Sequence, residues 1–248
     1  MPRFSDIEVM ALSFTAKCLS IDSEHYLFSK QKVNYLFQSN AYFISIHAFL
    51  FTFARMFDVL LAHIQEKVTL SATDVAVLKS FFIPKKLRKR QYVLQEGDVC
   101  KYLLFVEKGL LRMYHVDEKG TEHMIQFAWE GWWMADTYSF LSGDVSEYNI
   151  DATEDAELLM ITLENFEALL LQAPVMERYF RILFQNNIIS KEKRLVNTIS
   201  YSAEEKYTRM AAANPQLLQR IPQNLIASYL GITPETLSRI RKKLMKSK

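Results

Sequence analysis

The chain has 248 residues and is 50% hydrophobic, so it is long enough to bury the core of one large domain or of two ordinary ones. Its formal net charge is only +2, which excludes a general polycation, because 28 acidic residues nearly balance the 30 basic ones. Local clusters of basic residues occur in residues 85–90 and in the last ten residues. The two cysteines, Cys18 and Cys100, match no disulfide or metal-binding spacing, which favours a reducing, cytoplasmic location. The acidic residues among the first thirty predict that the chain carries no secretory signal.

Residues 1–55 differ in character from the rest of the chain. They end in a run without charge, Ala41 to Ala54, with the sequence AYFISIHAFLFTFA. This run is shorter than the roughly 20 apolar residues that a membrane-spanning helix needs. It predicts a buried, interfacial or poorly ordered segment, with a membrane helix as the alternative, and a new kind of sequence begins at Met56.

The next segments predict helices followed by short strands. Residues 57–81 show helical spacing, and Ser71 with Asp74 indicates a capping box. After Pro84 the apolar residues tend to recur at every second position, as in a strand, in the segments QYVLQEGD, YLLFVEKG, LLRMYHVDEKG, HMIQFA and YNIDATED to ELLMIT. Glycines about a dozen residues apart lie along this stretch. Regular short strands with turn signals between them predict a β sandwich or jelly roll.

Helices return after the strands. Thr162 is a plausible N-cap for residues 163–172, a longer helix is predicted from Pro174 to about Ser200, and another starts near Ser202. In the long helix a β-branched residue recurs every seven positions, which favours a parallel two-stranded pairing. The residues of this dimer stripe are Val175, Ile182, Ile189 and Val196. Because the companion heptad position is polar, packing of the stripe on the β domain is the alternative.

The last residues predict a helix-turn-helix. In IPQNLIASYLGITPETLSRIRKKL, Gly231 permits a left-handed turn residue between two helices. Thr233 is placed to cap the second helix, and Pro234 to occupy its first position. An apolar stripe points back at the first helix, while the opposite face is polar and basic. Such a second helix can enter the major groove of DNA.

From Met56 onward the chain resembles the Crp/Fnr family of bacterial transcription regulators. The segment LQEGDVCKYLLFVEKGLLRMYHVDEKGTEHMIQFAWEGWW resembles the family's sensor, and PQNLIASYLGITPETLSRIRKKL resembles its DNA-reading helices. The resemblance implies an α+β fold with a cyclic-nucleotide-binding-type β jelly roll, a long dimerisation helix and a C-terminal, winged helix-turn-helix. The predicted domains are residues 56–172 for the sensor, 173–200 for the dimerisation helix and 201–248 for the DNA-binding domain.

The resemblance also identifies candidate DNA contacts. The family reads DNA with an R-E-x-x-x-R pattern, of which Glu235 and Arg239 are kept here while Pro234 replaces the first arginine. The lost arginine implies a different half-site. The expected base contacts are Glu235, Thr236, Ser238 and Arg239, and the expected phosphate contacts are Thr233, Arg241, Lys242 and Lys243.

The effector pocket departs further from the family pattern. Nucleotide-binding members hold the cyclic phosphate with an arginine, yet no Arg or Lys occurs between Gly131 and Ala173. Cyclic AMP is therefore not expected to be the effector. The β domain is expected either to sense another, unknown small molecule or to act only as a dimer scaffold. The pocket candidates are Trp133, Asp136, Thr137, Tyr138 and Ser146. No cofactor or metal is expected, because a cysteine cluster is absent and His115 and His123 fit ordinary strand positions.

Residues 1–39 resemble the amino-terminal end of certain insertion-sequence transposases, through PRFSDIEVMALSFTAKCLSIDSEHYLFSK. The match is short, and no catalytic acidic triad follows it. The leader of residues 1–55 is therefore interpreted as a foreign segment, such as a transposase fragment, joined to a regulator that starts at Met56.

These features predict a regulator that is not an enzyme. Its expected partners are double-stranded DNA with an inverted repeat, a second copy of the chain and RNA polymerase, and no membrane is expected. A cupin-like metal enzyme is one alternative, although it would need a cluster of His and carboxylate ligands. The other alternative is a membrane-attached sensor built on residues 41–54.

Overall fold

The computed structural model describes residues 56–246. The transposase-like residues 1–39, the apolar run Ala41 to Ala54 and Cys18 lie outside the described residues, as do residues 247–248. From Val59 onward the chain forms one compact unit. Among residues 56–246, no helix combines the length and the apolar character that crossing a bilayer requires.

Two short helices precede the strands, as predicted. Helix α1 spans Asp58–Gln65 and α2 spans Ala72–Phe81. The capping box is confirmed, because the Asp74 N–H donates to Ser71 Oγ at 3.1 Å and the Ser71 N–H donates to the Asp74 carboxylate at 2.9 Å. These bonds satisfy amide groups that a helix start otherwise leaves without partners.

Eight strands form two four-stranded antiparallel sheets, which confirms the jelly roll. The strands are β1 Ile83–Leu87, β2 Tyr92–Leu94, β3 Leu103–Lys108, β4 Leu111–Val116, β5 Glu122–Ala128, β6 Trp133–Met134, β7 Asn149–Ala152 and β8 Ala156–Ile161. The orders are β1-β8-β3-β6 and β2-β7-β4-β5. Strand β1 was not predicted, because it contains Pro84 next to two lysines. Among the described strands it pairs with β8 alone, so it lies at the edge of its sheet. Proline is tolerated in an edge strand.

The turn glycines behave as predicted, and Gly109 shows why one of them is needed. Its φ is +98°, in the region that side chains rarely adopt. A Cβ at this position would also lie 2.5 Å from the backbone oxygen of Asp155. The turn between β3 and β4 therefore requires glycine for its conformation and for its close approach to the neighbouring chain.

Helices α4 and α5 follow the strands. Helix α4 spans Leu163–Gln172 with Thr162 as its N-cap, and α5 spans Val175–Ser200, both as predicted. A further short helix, α3, spans Thr137–Ser142 between β6 and β7. The first turns of α5 are anchored in an aromatic core, since Tyr179 and Phe180 are buried beside Phe105 and Trp133. The Trp133 indole donates to Tyr179 Oη at 2.8 Å, which satisfies both buried polar groups.

Four helices follow α5 in the described residues: α6 Ala203–Ala213, α7 Leu217–Arg220, α8 Gln223–Leu230 and α9 Pro234–Lys246. Helix α6 has the expected start, because Ser202 and Glu205 form a capping box. The four-residue α7 was not predicted. In the part of the chain that the structure describes, no strand follows Ile161, so the β wing of the predicted winged helix-turn-helix has no counterpart there.

The helix-turn-helix packs directly on the outer face of the β2-β7-β4-β5 sheet. One buried cluster joins side chains of β4 and β5 to side chains of α7, α8 and α9. Its members are Leu110, Tyr114, Met124, Phe127, Leu217, Ile221, Leu225, Ile226, Ala227, Leu230 and Leu237. Because burying these side chains contributes roughly 1.5–3 kcal/mol for each large one, the core of the helix-turn-helix is completed by the sheet.

Candidate DNA-binding surface and sensor pocket

The turn between α8 and α9 has the predicted geometry. Gly231 ends α8 with a φ of +67°, and its N–H donates to the Ser228 carbonyl at 3.0 Å. Thr233 caps α9, since its Oγ1 accepts from the Thr236 N–H at 3.2 Å. Pro234 is the first residue of α9, where its missing N–H removes no helical hydrogen bond. The local sequence therefore builds a tight helix-turn-helix without strain at any non-glycine residue.

Helix α9 has one buried face and one exposed face. Leu237 is fully buried and Ile240 is 8% exposed, and both face the rest of the helix-turn-helix. The four expected base contacts lie together on the first two turns, with Glu235 and Arg239 exposed and Thr236 and Ser238 half-buried. Hydrogen bonds from its own backbone and from Thr233 lower the pKa of Glu235, so this carboxylate is ionised and can accept hydrogen bonds at neutral pH.

The expected phosphate contacts differ from one another in exposure and in their partners. Thr233 and Lys242 are exposed, while Arg241 is half-buried. Lys243 is paired with Glu204 of α6, at 2.7 Å between Nζ and Oε2, which the sequence did not indicate. An exposed pair of this kind contributes about 0–1 kcal/mol, so exchanging Glu204 for a phosphate would cost little.

The free edge of β5 is where the jelly roll, α5 and α8 meet. Ser228 of α8 accepts from the Met124 N–H at 3.0 Å and donates to the Glu122 carbonyl at 2.8 Å. The Arg194 guanidinium of α5 donates to the Ile125 carbonyl and lies 4.1 Å from the centroid of the Tyr229 ring. Sequence reasoning missed both residues, although a serine on the apolar face of α8 was a usable signal. These contacts fix α8, and hence α9, relative to the long helix.

A second clamp joins α7 to the jelly roll. Arg220 donates to Glu130 at 2.8 and 3.0 Å and to Glu154 at 2.5 Å. Partial burial acts to raise the pKa of Glu130, but the hydrogen bonds from Arg220 and from the Gly109 N–H outweigh it, and the pKa is lowered overall. Glu130 therefore stays ionised at neutral pH, and the Arg220 guanidinium is held between Glu130 and Glu154.

In the predicted effector pocket, the Asp136 side chain accepts hydrogen bonds from backbone amide groups at the start of α3. Its Oδ1 accepts from the Tyr138 N–H at 3.1 Å and from the Ser139 N–H at 3.4 Å. Its Oδ2 accepts from Ser146 Oγ at 2.7 Å, and both residues are buried. Backbone amides at a helix start are natural ligands for an anion. Here the protein's own carboxylate already takes that place.

The five pocket candidates do not form one site. Asp136 and Ser146 are brought together, whereas Trp133 belongs to the aromatic core next to Tyr179. Tyr138 is 69% exposed, and its hydroxyl donates to Asp144 at 2.7 Å. Thr137 is exposed and, together with Trp133, lines a cavity that Asp136 and Ser146 do not line.

That cavity measures about 800 Å³ and lies between the jelly roll, α1, α3 and α5. Most of the surface that lines it is apolar and includes Trp132, Leu141, Leu183 and Phe184. Of its two lysines, Lys67 is engaged with His63 and Glu66. Burial and the neighbouring Lys67 lower the pKa of His63, so the imidazole is neutral at pH 7. This cavity offers more space for a weakly charged ligand than the start of α3, where the Asp136 side chain already binds the amide groups.

The possible metal ligands of the jelly roll make other contacts within the described residues. Within residues 56–246, no three His, Cys, Asp or Glu side chains are grouped so that they could hold a metal ion. His115 contacts the Glu147 carbonyl at 3.0 Å, and His123 contacts Asp117 at 2.9 Å. Cys100 is buried, and burial raises the pKa of its thiol.

Known proteins resemble the chain over the same elements. Residues 84–173 match the family model of the cyclic nucleotide-binding domain. The regulatory protein HlyX of Actinobacillus pleuropneumoniae is 24% identical over 204 residues, which covers 72% of this chain and 79% of that protein. The fumarate and nitrate reduction regulatory protein of Vibrio cholerae is 26% identical, covering 72% of this chain and 76% of that protein.

A solved structure agrees with the fold. The c-di-GMP-responsive global regulator CLP of Xanthomonas campestris has a TM-score of 0.59 at 15% identity, over 71% of this chain and 93% of that one. The jelly roll, which contains the matched cyclic nucleotide-binding domain, the long helix and the helix-turn-helix follow one another in this order in the described residues. The fold is that of Crp/Fnr-type transcription regulators, and the matched domain and the relatives, which are regulatory proteins, support the Crp/Fnr family for this chain.

Proposed function

We propose that this protein is a cytoplasmic, sequence-specific DNA-binding transcription regulator of the Crp/Fnr type. One observation carries the proposal: α9 exposes Glu235 and Arg239 side by side on a helix whose other face is buried by Leu237. One recognition helix per chain requires two copies to read an inverted repeat. The proposed partners are a second copy of the chain, RNA polymerase and a small-molecule effector. The proposed protein has no catalytic activity, which fits the regulatory character of the relatives.

Two side chains are proposed to read bases directly. Arg239 presents a guanidinium that matches the O6 and N7 acceptors of guanine, and the ionised Glu235 can accept from the N4 amino group of cytosine. The Arg239 Nη2 donates to Thr236 Oγ1 at 3.3 Å, so the guanidinium is already held near the start of α9. Preorganisation of this kind lowers the entropy lost on binding.

The test of the proposal compares Arg239→Ala with Lys242→Ala on selected operator DNA. Arg239→Ala should cost roughly 1–3 kcal/mol and relax specificity at one base pair of each half-site. Lys242→Ala should weaken binding to all sequences and reduce the slope of affinity against salt by about one. Fluorescence anisotropy with specific and random duplexes measures both effects. If Arg239→Ala binds both duplexes as the parent does, α9 does not read bases.

We also propose the domain boundaries given above, with the leader of residues 1–55 as a separate, transposase-like segment. The proposal is supported by the compact unit that begins at Val59 and by the extended Tyr201 between α5 and α6.

Deleting residues 1–55 is expected to leave a protein that melts cooperatively, dimerises and binds operator DNA with the affinity of the full chain. The reason is that the residues of the sensor core, α5 and the helix-turn-helix all follow the deletion. Calorimetry and anisotropy measure the two properties. A truncated chain that aggregates or loses its cooperative transition would show that the leader contributes to the core.

A further inference from the structure

The helix-turn-helix is attached to the jelly roll by polar contacts at both ends of β5. At the start of the strand, Ser228 Oγ of α8 accepts from the Met124 N–H at 3.0 Å and donates to the Glu122 carbonyl at 2.8 Å. Beyond the end of the strand, Arg220 of α7 donates to Glu130 at 2.8 and 3.0 Å. Because β5 has seven residues, the two attachments lie roughly 20 Å apart at about 3.4 Å per residue. Attachments this far apart resist both sliding and turning of α7 and α8 on the sheet.

A third attachment comes from the long helix. The Arg194 guanidinium of α5 donates to the Ile125 carbonyl and lies 4.1 Å from the centroid of the Tyr229 ring on α8. The centroid of the same ring is 5.4 Å from that of Phe127 on β5. Tyr229 therefore contacts β5 and α5 at once, so α8 is held relative to both.

These polar contacts act differently from the apolar cluster that joins the sheet to α7, α8 and α9. The cluster stabilises docking by burial, and the hydrophobic effect has no preferred direction. A hydrogen bond, in contrast, requires a narrow range of distance and angle. The apolar cluster therefore keeps the helix-turn-helix on the sheet, whereas Ser228, Arg220 and Arg194 fix its position and orientation there.

A fixed position of α9 limits the DNA that two copies can bind together. Adding one base pair between two half-sites moves one of them by about 3.4 Å along the DNA axis and turns it by about 35°. If the two subunits share this change equally, each helix-turn-helix must shift by about 1.7 Å and turn by about 17°. Such a movement would break most hydrogen bonds that start at 2.8–3.0 Å, as those of Ser228 and Arg220 do.

We infer that Ser228 and Arg220 are positioning residues that determine which spacing between half-sites this protein accepts. The inference rests on the proposed homodimer at an inverted repeat, and it adds a property that the base contacts of α9 do not supply. Glu235 and Arg239 read the sequence within each half-site. The attachments of α7 and α8 to the jelly roll restrict the distance between the half-sites.

Operators that differ only in the length of their spacer test the inference in the full-length protein. Selection from random DNA supplies the preferred operator, and fluorescence anisotropy compares it with duplexes that have one base pair more or less in the spacer. For the parent, either change should weaken binding about 100-fold, as expected when hydrogen bonds to a charged group are broken. For the double variant Ser228→Ala/Arg220→Ala, the same change should weaken binding less than about tenfold.

Lys242→Ala is the matched control, because Lys242 is exposed on α9 and takes no part in the attachments. This variant should bind all operators more weakly by one common factor, so the penalty for a changed spacer stays at about 100-fold. Thermal melting followed by circular dichroism shows whether the double variant is folded. If it is not, Ser228→Ala and Arg220→Ala are measured singly, and each should reduce the spacer penalty at least about threefold.

Two results would overturn the inference while leaving the DNA-binding regulator intact. One is a spacer penalty in the folded variants equal to that of the parent. The other is a parent that accepts a changed spacer with less than about a tenfold loss of affinity. A parent that binds no selected operator in preference to random DNA would instead overturn the proposed function itself.

Discussion

Replacing Phe127 by alanine is expected to remove most of the DNA affinity of this protein while leaving its jelly roll folded. Phe127 is 4% exposed on β5, and its ring centroid lies 5.4 Å from that of Tyr229 on α8. Truncation of a buried phenylalanine costs about 3–5 kcal/mol, because both the burial and the packing around it are lost. Since Phe127 lies in the cluster that joins the sheet to the helix-turn-helix, this cost falls mainly on docking of the DNA-binding domain.

The expected result of Phe127→Ala is a separate, earlier melting transition for the helix-turn-helix and a loss of operator affinity of about 100-fold or more. Differential scanning calorimetry and fluorescence anisotropy measure the two effects. Leu171→Ala is the matched control, because Leu171 is 81% exposed on α4 and its truncation should be nearly neutral. Parent-like melting and parent-like DNA binding by Phe127→Ala would show that the domain does not depend on this interface.

The second large effect is an absence of tight binding to cyclic AMP and cyclic GMP. A cyclic phosphate buried without a cation loses its hydration, and backbone amides recover only part of that free energy. Here the amides of α3 are already bonded to Asp136, and no Arg or Lys occurs between Gly131 and Ala173. The missing charge-assisted contact alone is worth roughly 1.5–3 kcal/mol, which corresponds to roughly 10- to 150-fold in affinity.

Isothermal titration with both cyclic nucleotides tests this expectation. We expect no binding with a dissociation constant below about 10 μM, which corresponds to roughly −7 kcal/mol. Asp136→Asn keeps a capping side chain but removes the charge, so it should also stay above that limit because the cation is still missing. A tighter constant for the parent would mean that a cation from outside this segment, such as Lys191 in the adjoining cavity, reaches the phosphate.

Features encoded within a few consecutive residues were predictable. The capping boxes at Ser71 and Ser202, the N-caps at Thr162 and Thr233 and the left-handed Gly231 all stand as expected. Each depends on a side chain or backbone conformation that acts on amide groups at most four positions away. The strands with alternating apolar residues were predictable for a similar reason, because their periodicity is local.

Strand β1 and the pairing of Lys243 were not predictable in this way. Pro84 argues against a strand unless the strand lies at a sheet edge, and only the pairing with β8 shows that it does. Lys243 looks like a phosphate contact on α9 until α6 brings Glu204 to within 2.7 Å of it. In both cases the deciding partner lies many residues away in the chain.

The sequence by itself determined the kinds of element and their order: the short strands, the long helix, the helix-turn-helix and the polar, basic face of its second helix. Tertiary structure alone decided how those parts are joined, through Ser228 and Arg194 on the edge of β5, and which apolar side chains of α5 stay exposed. The physical reason is that caps, turns and periodicity arise from neighbouring residues, whereas burial and docking depend on which distant surfaces meet. A stripe of apolar residues can be read from the sequence, but its exposure is known only when the other faces of the helix have been covered.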